Sequence, residues 1–98
     1  MKALIRLDRP VIVEGKYDKI TLENVIDALI IPTDGFRIFK SPEKAALIRA
    51  AAKDKGVIVM TDSDSAGAVI RAYLKKLLGN TEIINVYVPA LKGKERRK

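Results

Sequence analysis

The chain has 98 residues and a net charge of +7, from 19 basic and 12 acidic residues, and it contains neither cysteine nor histidine. This length predicts a single domain with its own core, and the lack of cysteine excludes disulfides and thiolate zinc sites. Without histidine, the usual transition-metal ligand and the commonest general base are absent, so any bound metal would be held by oxygen atoms.

The first predicted strand is Val11-Ile12-Val13, which Pro10 introduces. An unbroken β-branched run of this kind is typical of a strand covered on both faces, as in a parallel sheet. The preceding segment, 1–9, is compatible with either a short helix or an edge strand. Glu14 and Gly15 follow the strand directly, at the end where open α/β sheets bind ligands.

A first helix is predicted to begin at Asp18, which would serve as its N-cap. A ligand role for Asp18 is the alternative. The buried face of this helix would carry four apolar residues at helical spacing, namely Leu22, Val25, Ile26 and Leu29.

The middle of the chain predicts a strand, a turn and a second helix. Residues 29–31 begin the second strand, Thr33-Asp34-Gly35 reads as a turn, and residues 36–39 are expected to form a short extra strand. Ser41 and Pro42 then suit the cap and first turn of a helix that would run to about residue 55 and end at Gly56.

A third strand at 57–60 precedes the motif Asp62-Ser63-Asp64, and a third helix should start at Ser65 or Ala66 and stop at Gly79. Residues 83–88 form the last predicted strand. Because strands and helices alternate, the fold class is α/β, with a mainly parallel four-stranded sheet between two helix layers. We expect the first and third predicted strands to be neighbours, flanked by the second and the fourth respectively.

Three carboxylates would meet at one edge of this sheet. Asp62 and Asp64 are two residues apart, so they face the same way on an extended backbone, and Glu14 arrives from the neighbouring strand. Their mutual repulsion favours a bound divalent cation, and magnesium is often held by one or two carboxylates. Glu14 would either bind a second ion or act as a general base that takes a proton from a water molecule. Gly67 would allow backbone or substrate to approach closely.

Each part of this pattern has a simpler explanation when taken alone. Asp62 or Asp64 could be no more than a cap of the third helix. Phosphatases of the haloacid dehalogenase type also place Asp-x-Asp after a strand, but usually continue to a threonine or valine, where this chain has Ala66.

Taken together, Val13-Glu14-Gly15-x-x-Asp18 and Asp62-x-Asp64-x-x-Gly67 resemble the Toprim domain. The resemblance spans about residues 11–88. It implies a three-layer α/β/α Rossmann-like fold and magnesium-dependent breaking or joining of phosphodiester bonds, with manganese as an alternative ion. It also implies that Glu14, Asp62 and Asp64 are the catalytic residues and metal ligands.

Within this family, the chain is similar to the small ribonuclease, of the M-five type, that matures 5S ribosomal RNA. The likeness includes Glu14-Gly15-Lys16-x-Asp18, Thr33-Asp34-Gly35 and the stretch 56–64. Such ribonucleases usually carry a second, C-terminal domain, whereas this sequence stops at Lys98. We therefore expect either a fragment of such a protein or a stand-alone Toprim protein.

The resemblance implies a magnesium-dependent endoribonuclease that acts on structured RNA, with a ribosomal protein bound to 5S ribosomal RNA as a candidate partner. The alternatives are a Toprim module that binds nucleic acid without cutting it, and a DNA-acting protein related to primases or topoisomerases. Since no apolar run approaches the ~18–20 residues of a membrane helix and no signal peptide opens the sequence, we expect a cytoplasmic location.

The division expected from the sequence is a Toprim domain at 1–91 and a basic tail at 92–98. The tail has five basic residues and one acid, or +4, which leaves +3 for the rest of the chain. A basic domain suits a polyanionic partner, although basic charge also serves solubility. The residues predicted to contact nucleic acid are Lys16, Lys19, Arg71, Lys92, Lys94, Arg96, Arg97 and Lys98.

Overall fold

The computed structural model describes residues 3–62 and 65–88. The strands are β1 (Ile5–Arg6), β2 (Val11–Val13), β3 (Ile26–Asp27), β4 (Ile30–Pro32), β5 (Val57–Asp62) and β6 (Ile83–Val88). The helices are α1 (Lys16–Glu23), α2 (Pro42–Ala52) and α3 (Ser65–Leu78), with a 3-10 helix at Gly35–Lys40.

The main sheet has the order β4-β2-β5-β6, and all of its pairs are parallel. This order confirms the one predicted from the sequence. Val13, the last residue of β2, pairs with Pro32 on one side and Met60 on the other. Glu14 and Asp62 therefore lie at the same edge of the sheet, where the carboxyl ends of the strands meet.

Helices cover both faces of the sheet, which confirms the three-layer α/β/α class. On one face Ile12, Ile31 and Val59 are buried together with Ile48 of α2 and Leu74 of α3. On the other face Val11, Val13 and Ile30 pack with Leu22 of α1. Burial of this apolar area is the main favourable contribution to folding, at roughly 25 cal/mol per Å².

On the face of the sheet that α1 covers, the edge strand β6 is left partly exposed to solvent. Ile84 and Val86 of β6 pair with Ile58 and Met60 of β5, and they remain 39% and 37% exposed. The expectation that the first predicted strand is buried on both faces is therefore confirmed for β2, whereas β6 is partly exposed on the α1 face.

The first helix differs from the prediction. Gly15 is its N-cap, so Asp18 is the third residue of the helix, and the helix ends at Glu23. Ile26 lies in β3, which pairs in parallel with β1 in a separate two-stranded sheet. The backbone N–H of Ile5 donates to the Val25 carbonyl at 2.8 Å. A non-local strand pair has thus replaced the predicted continuation of the helix, and the edge-strand alternative for segment 1–9 is correct.

The expected extra strand at 36–39 is also wrong, because these residues lie in the 3-10 helix. Asp34 and Gly35 adopt left-handed backbone angles, with φ of 60° and 65°, and they turn the chain away from the sheet. Ile38 is then inserted into the core, where it is 1% exposed.

The starts of α2 and α3 agree with the sequence-based predictions. The Ser41 side chain accepts a hydrogen bond from the Lys44 backbone N–H at 3.2 Å, as an N-cap should. α2 ends at Ala52, slightly before the predicted end. Within the described part of the chain, no helix combines the length and apolar character needed to cross a membrane.

Candidate functional site

Glu14 stands at the end of β2, and the loop after β4 fixes its backbone. The Thr33 hydroxyl donates to the Glu14 carbonyl at 3.1 Å, and the Gly35 N–H donates to the same oxygen at 3.0 Å. The Thr33 N–H also donates to the Val13 carbonyl at 2.8 Å. Thr33 is fully buried, and together these bonds hold the peptide of Glu14 in one orientation.

The same loop is anchored from α2. The Lys44 ammonium contacts the Asp34 carboxylate at 2.6 Å and the Pro32 carbonyl at 2.8 Å. Asp34 tolerates its left-handed conformation better than most residues. The prediction of a turn at Thr33-Asp34-Gly35 is confirmed, and the structure adds that this turn supports Glu14.

Glu14 and Asp62 meet directly at the edge of the sheet. The backbone N–H of Asp62 donates to Oε2 of Glu14 at 2.7 Å. A short hydrogen bond to an ionised oxygen is stronger than a neutral one, so it orients the Glu14 carboxylate toward the end of β5. The Asp62 side chain is exposed. Two of the three carboxylates predicted at this edge therefore belong to residues that lie together.

The end of β5 is held by the first turns of α3. The Arg71 guanidinium donates through Nη1 to the Thr61 hydroxyl at 2.6 Å and to the Asp62 carbonyl at 2.9 Å. Gly67 lies so close to the end of β5 that an added Cβ would collide with the Asp62 carbonyl oxygen. The close approach expected at Gly67 is thus an approach of backbone to backbone. Sequence reasoning assigned Arg71 to phosphate binding and missed its contact with Asp62.

A cavity of about 200 Å³ opens beside the two strand ends. Val13, Leu22 and Met60 form its apolar part, and the carboxylate-bearing residues Glu14, Asp18 and Asp62 also line it. The Asp18 carboxylate accepts the Gly15 N–H at 3.0 Å. The prediction of Asp18 as the N-cap is therefore wrong in position, because Gly15 is the N-cap and Asp18 caps the helix from its third residue.

The donor chemistry at this edge fits a hard cation. Carboxylate oxygens are the ligands that magnesium and manganese prefer, and magnesium needs only one or two of them because it keeps several waters. In the described segments 3–62 and 65–88, no group of three or more acidic side chains is close enough to hold a metal. Asp64, the third predicted ligand, lies outside the described residues.

Two of the other residues predicted to contact nucleic acid, Lys16 and Lys19, lie in α1, which begins two residues after Glu14. Lys16 is the exposed first residue of α1, and its ammonium lies 5.6 Å from the centroid of the Tyr17 ring. Lys19 forms an ion pair with Glu23 at 3.4 Å. The predicted contacts in the tail, Lys92, Lys94, Arg96, Arg97 and Lys98, lie outside the described residues.

Comparison with known proteins agrees with this geometry. The Toprim domain model matches residues 9–91. Ribonuclease M5 of Borreliella burgdorferi is 38% identical over 79 residues, which cover 80% of this chain and 42% of that protein. Ribonuclease M5 of Fusobacterium nucleatum is 32% identical over 88 residues, covering 90% and 46%. Ribonuclease M5 of Mycoplasma genitalium is 34% identical over 87 residues, covering 89% and 47%.

The chain thus spans a little under half the length of these curated relatives. The matched region contains the whole four-stranded sheet and the strand ends that carry Glu14 and Asp62. The sheet order, the acidic edge and the extent of the match lead to one conclusion: the chain belongs to the Toprim domain family.

Proposed function

We propose that this chain is the catalytic region of a metal-dependent endoribonuclease that cleaves structured RNA, with the precursor of 5S ribosomal RNA as its substrate. The observation that carries the proposal is the 2.7 Å bond between the Asp62 N–H and the Glu14 carboxylate. It joins the acidic ends of two neighbouring strands beside one cavity. The family and the ribonuclease names of its relatives support RNA as the substrate.

Glu14, Asp62 and Asp64 are the residues that would hold magnesium, with manganese as a substitute. The ion, when bound, stabilises charge on the attacking and leaving oxygens of the phosphodiester. Glu14 accepts the proton of the attacking water, because the chain has no histidine to do so. The Asp62 N–H orients the Glu14 carboxylate for that task. Arg71 and Gly67 keep the end of β5 against α3 and so fix where Asp62 stands.

Basic residues position the RNA in this proposal. Lys16, Lys19 and Arg71 contact phosphates around the sheet edge, and the tail at 92–98 extends the contact surface beyond the domain at 1–91. Phosphate contacts fix orientation without reading sequence, so the shape of the RNA would supply the specificity. A ribosomal protein bound to that RNA and a cytoplasmic location belong to the same proposal.

A cleavage assay tests the activity. The purified chain is incubated with end-labelled 5S precursor in magnesium or in chelator. We expect cleavage in magnesium alone, and a loss of more than about 100-fold in Asp62→Asn and Glu14→Gln, since even residues that only orient metal ligands are worth 10–100-fold. Asp54→Asn is the control, because Asp54 is an exposed acid just before β5, at the opposite end of that strand.

Cleavage in chelator, or full activity in Asp62→Asn, would contradict the proposal. Binding of the precursor without cleavage in magnesium would favour the binding-module alternative. Equal cleavage of single-stranded DNA would favour the DNA-acting one.

Thermal unfolding tests the metal separately from the chemistry. A cation that binds the folded state alone raises the melting temperature by linkage. We expect millimolar magnesium to raise the melting temperature of the wild-type chain and to leave that of Asp62→Asn nearly unchanged. An equal shift in both proteins would place the ion elsewhere.

A further inference from the structure

The cavity beside the acidic edge extends away from the strand ends, between α1 and β5. We call it the α1–β5 cavity. Glu14 and Asp62 line it at the strand ends, and the residues that line the rest of it include Val13, Asp18, Thr21, Leu22 and Met60. Of all these residues the proposed function uses only Glu14 and Asp62, so it leaves the chemistry of the other walls unexplained.

The wall that α1 contributes follows from helical spacing. Asp18, Thr21 and Leu22 are at positions i, i+3 and i+4, so they share one face of the helix. Leu22 packs with buried Val13, whereas Asp18 and Thr21 are exposed. Val13 is paired with Met60 on the neighbouring strand. The cavity therefore has an apolar floor and a wall that carries a carboxylate and a hydroxyl group.

This lining does not suit the phosphate or the base of a nucleotide. In the described part of the chain, the charged residues that line the cavity, Glu14, Asp18 and Asp62, are all acidic, so they would repel a phosphate inside it. None of the described lining residues is aromatic, so no ring is present on which a base would stack. The volume of about 200 Å³ is also below the ~300–1,000 Å³ of pockets for drug-sized ligands. The neutral sugar is the part of a nucleotide that remains.

A ribose matches both parts of the lining. The C–H groups of the sugar would contact the apolar floor. In a nucleic acid chain the 3′ and 5′ oxygens are esterified, so the 2′-hydroxyl is the one free hydroxyl of the sugar, and it both donates and accepts hydrogen bonds. The Asp18 carboxylate already accepts the Gly15 N–H at 3.0 Å. A carboxylate has about four acceptor sites, so Asp18 has the capacity to accept the 2′-hydroxyl as well, while Thr21 donates to it.

We propose that the α1–β5 cavity binds one ribose next to the phosphate at the acidic edge, and that Asp18 and Thr21 recognise its 2′-hydroxyl. This inference rests on the proposed function for the position of that phosphate. Thr21 is then a specificity-determining residue that distinguishes RNA from DNA. The 2′-hydroxyls of an RNA helix lie in its wide, shallow minor groove, so this contact needs no unpaired base.

The test uses a ligand that has the sugar of a nucleic acid chain and no bond between nucleotides to cleave. The two probes are adenosine 3′,5′-bisphosphate and its 2′-deoxy analogue, which differ only in the 2′-hydroxyl. NMR titration of the chain in magnesium would give both affinities. We expect the wild type to bind the ribose form about 2- to 12-fold more tightly, which corresponds to one ordinary hydrogen bond.

Threonine variants assign this preference to one hydroxyl group. Thr21→Val is nearly isosteric and should abolish the preference while leaving the affinity for the 2′-deoxy analogue unchanged. Thr21→Ser keeps the hydroxyl and should retain the preference. Thr81→Val is the matched control, because Thr81 precedes β6 at the opposite end of the sheet and its replacement should change neither affinity.

Equal affinity of the two bisphosphates for the wild type would overturn the inference, as would a preference that survives in Thr21→Val or a lack of binding by both. The two proposals fail separately. A preference that depends on Thr21, without cleavage of the 5S precursor in magnesium, overturns the nuclease alone. Cleavage of the precursor by a chain that binds both bisphosphates equally overturns the ribose site alone.

Discussion

The two acidic strand ends are supported in different ways. The peptide of Glu14 is held by short, neutral donors from one loop, the Thr33 hydroxyl and the Gly35 N–H. The peptide of Asp62 is held by a charged donor on a long side chain of α3, the Arg71 guanidinium. Thr33 is fully buried, whereas Arg71 is partly exposed and touches the ring of Tyr87.

The two halves of the site therefore differ in how accessible their supporting residues are to a ligand. Thr33, the side chain that supports Glu14, is buried and offers no surface to a ligand. Arg71, the support of Asp62, also lines an open groove between α3 and β6. A ligand that binds beside Arg71 would therefore meet the residue that supports Asp62, and not the one that supports Glu14.

The largest effect should come from Gly67→Ala. In an ordinary helix this change raises stability by about 0.5–1 kcal/mol. Here the new Cβ would collide with the Asp62 carbonyl, which belongs to the backbone and can move only if β5 shifts. We expect the free energy of unfolding to fall by about 3 kcal/mol, at the upper end of overpacking costs, as measured by urea denaturation.

Ala68→Gly is the matched control for this change. Ala68 is the exposed neighbour of Gly67 in α3, so its replacement should cost only the ordinary helix propensity, about 0.5–1 kcal/mol. A stabilising Gly67→Ala would show that α3 does not press against the end of β5, and Arg71 would then lose its role as support.

Arg71→Gln should have the next largest effect. It removes both hydrogen bonds to the end of β5, at about 0.5–1.5 kcal/mol for an ordinary bond and more for a charged donor. We expect a loss of about 2 kcal/mol in unfolding free energy, together with weaker binding of RNA. Arg49→Gln, at an exposed residue in the last turn of α2, should change neither. If Arg71→Gln weakened RNA binding without changing stability, Arg71 would bind phosphate, as predicted from the sequence, but would not support the end of β5.

The position of Glu14 and Asp62 at one edge could be predicted because local signals agree there. The β-branched runs that end at Val13 and near Met60 specify buried parallel strands, and the carboxyl ends of neighbouring parallel strands meet at one edge. Only the alternation of strands and helices was needed to place these strands side by side. The part of Asp64 in this site stays a prediction.

The supports of the site could not be predicted, because they depend on contacts between distant elements. Whether Arg71 reaches Asp62 depends on how closely α3 lies against β5, which no local pattern specifies. The residues next to Thr33 predict only a turn. Thr33 becomes a buried hydrogen-bond donor to Glu14 because β4 pairs with β2, and the local sequence does not specify this pairing. Likewise, the apolar spacing around Val25 and Ile26 suggested a helix, but pairing of β3 with β1 decided their conformation.

Thr33→Val tests the loop that supports Glu14. The isosteric change removes the hydroxyl donor, while the Gly35 N–H still serves the Glu14 carbonyl. We expect a loss of about 1 kcal/mol in unfolding free energy and slower cleavage, with binding of RNA in chelator unchanged. Thr33→Ser keeps the hydroxyl, so it should retain cleavage even where it loses stability. A drop in RNA binding for Thr33→Val would show that the two supports are coupled.

The smallest effect should come from Asp8, which precedes β2 at the end of the strand opposite Glu14. The Lys55 ammonium, 3.3 Å away, holds the pKa of the Asp8 carboxyl below its ordinary value of 3.8 through a hydrogen bond and its charge, and Arg9 adds to this. A lowered pKa in the folded state means that the ion pair stabilises the fold above the ordinary pKa. That contribution is lost as the pH falls through the lowered value. Because Asp8 is exposed, solvent screens the interaction.

Asp8→Asn should therefore lower the melting temperature by at most a few degrees near neutral pH. In acid below the lowered pKa, the variant and the wild type should melt together. High salt should also remove the difference, because exposed pairs are screened. Cleavage at saturating RNA should be unchanged at every pH, since neither support of the site involves Asp8. A loss of cleavage in Asp8→Asn would mean that the strand transmits changes from this end to Glu14, and the Thr33 support would then not be independent of the rest of the sheet.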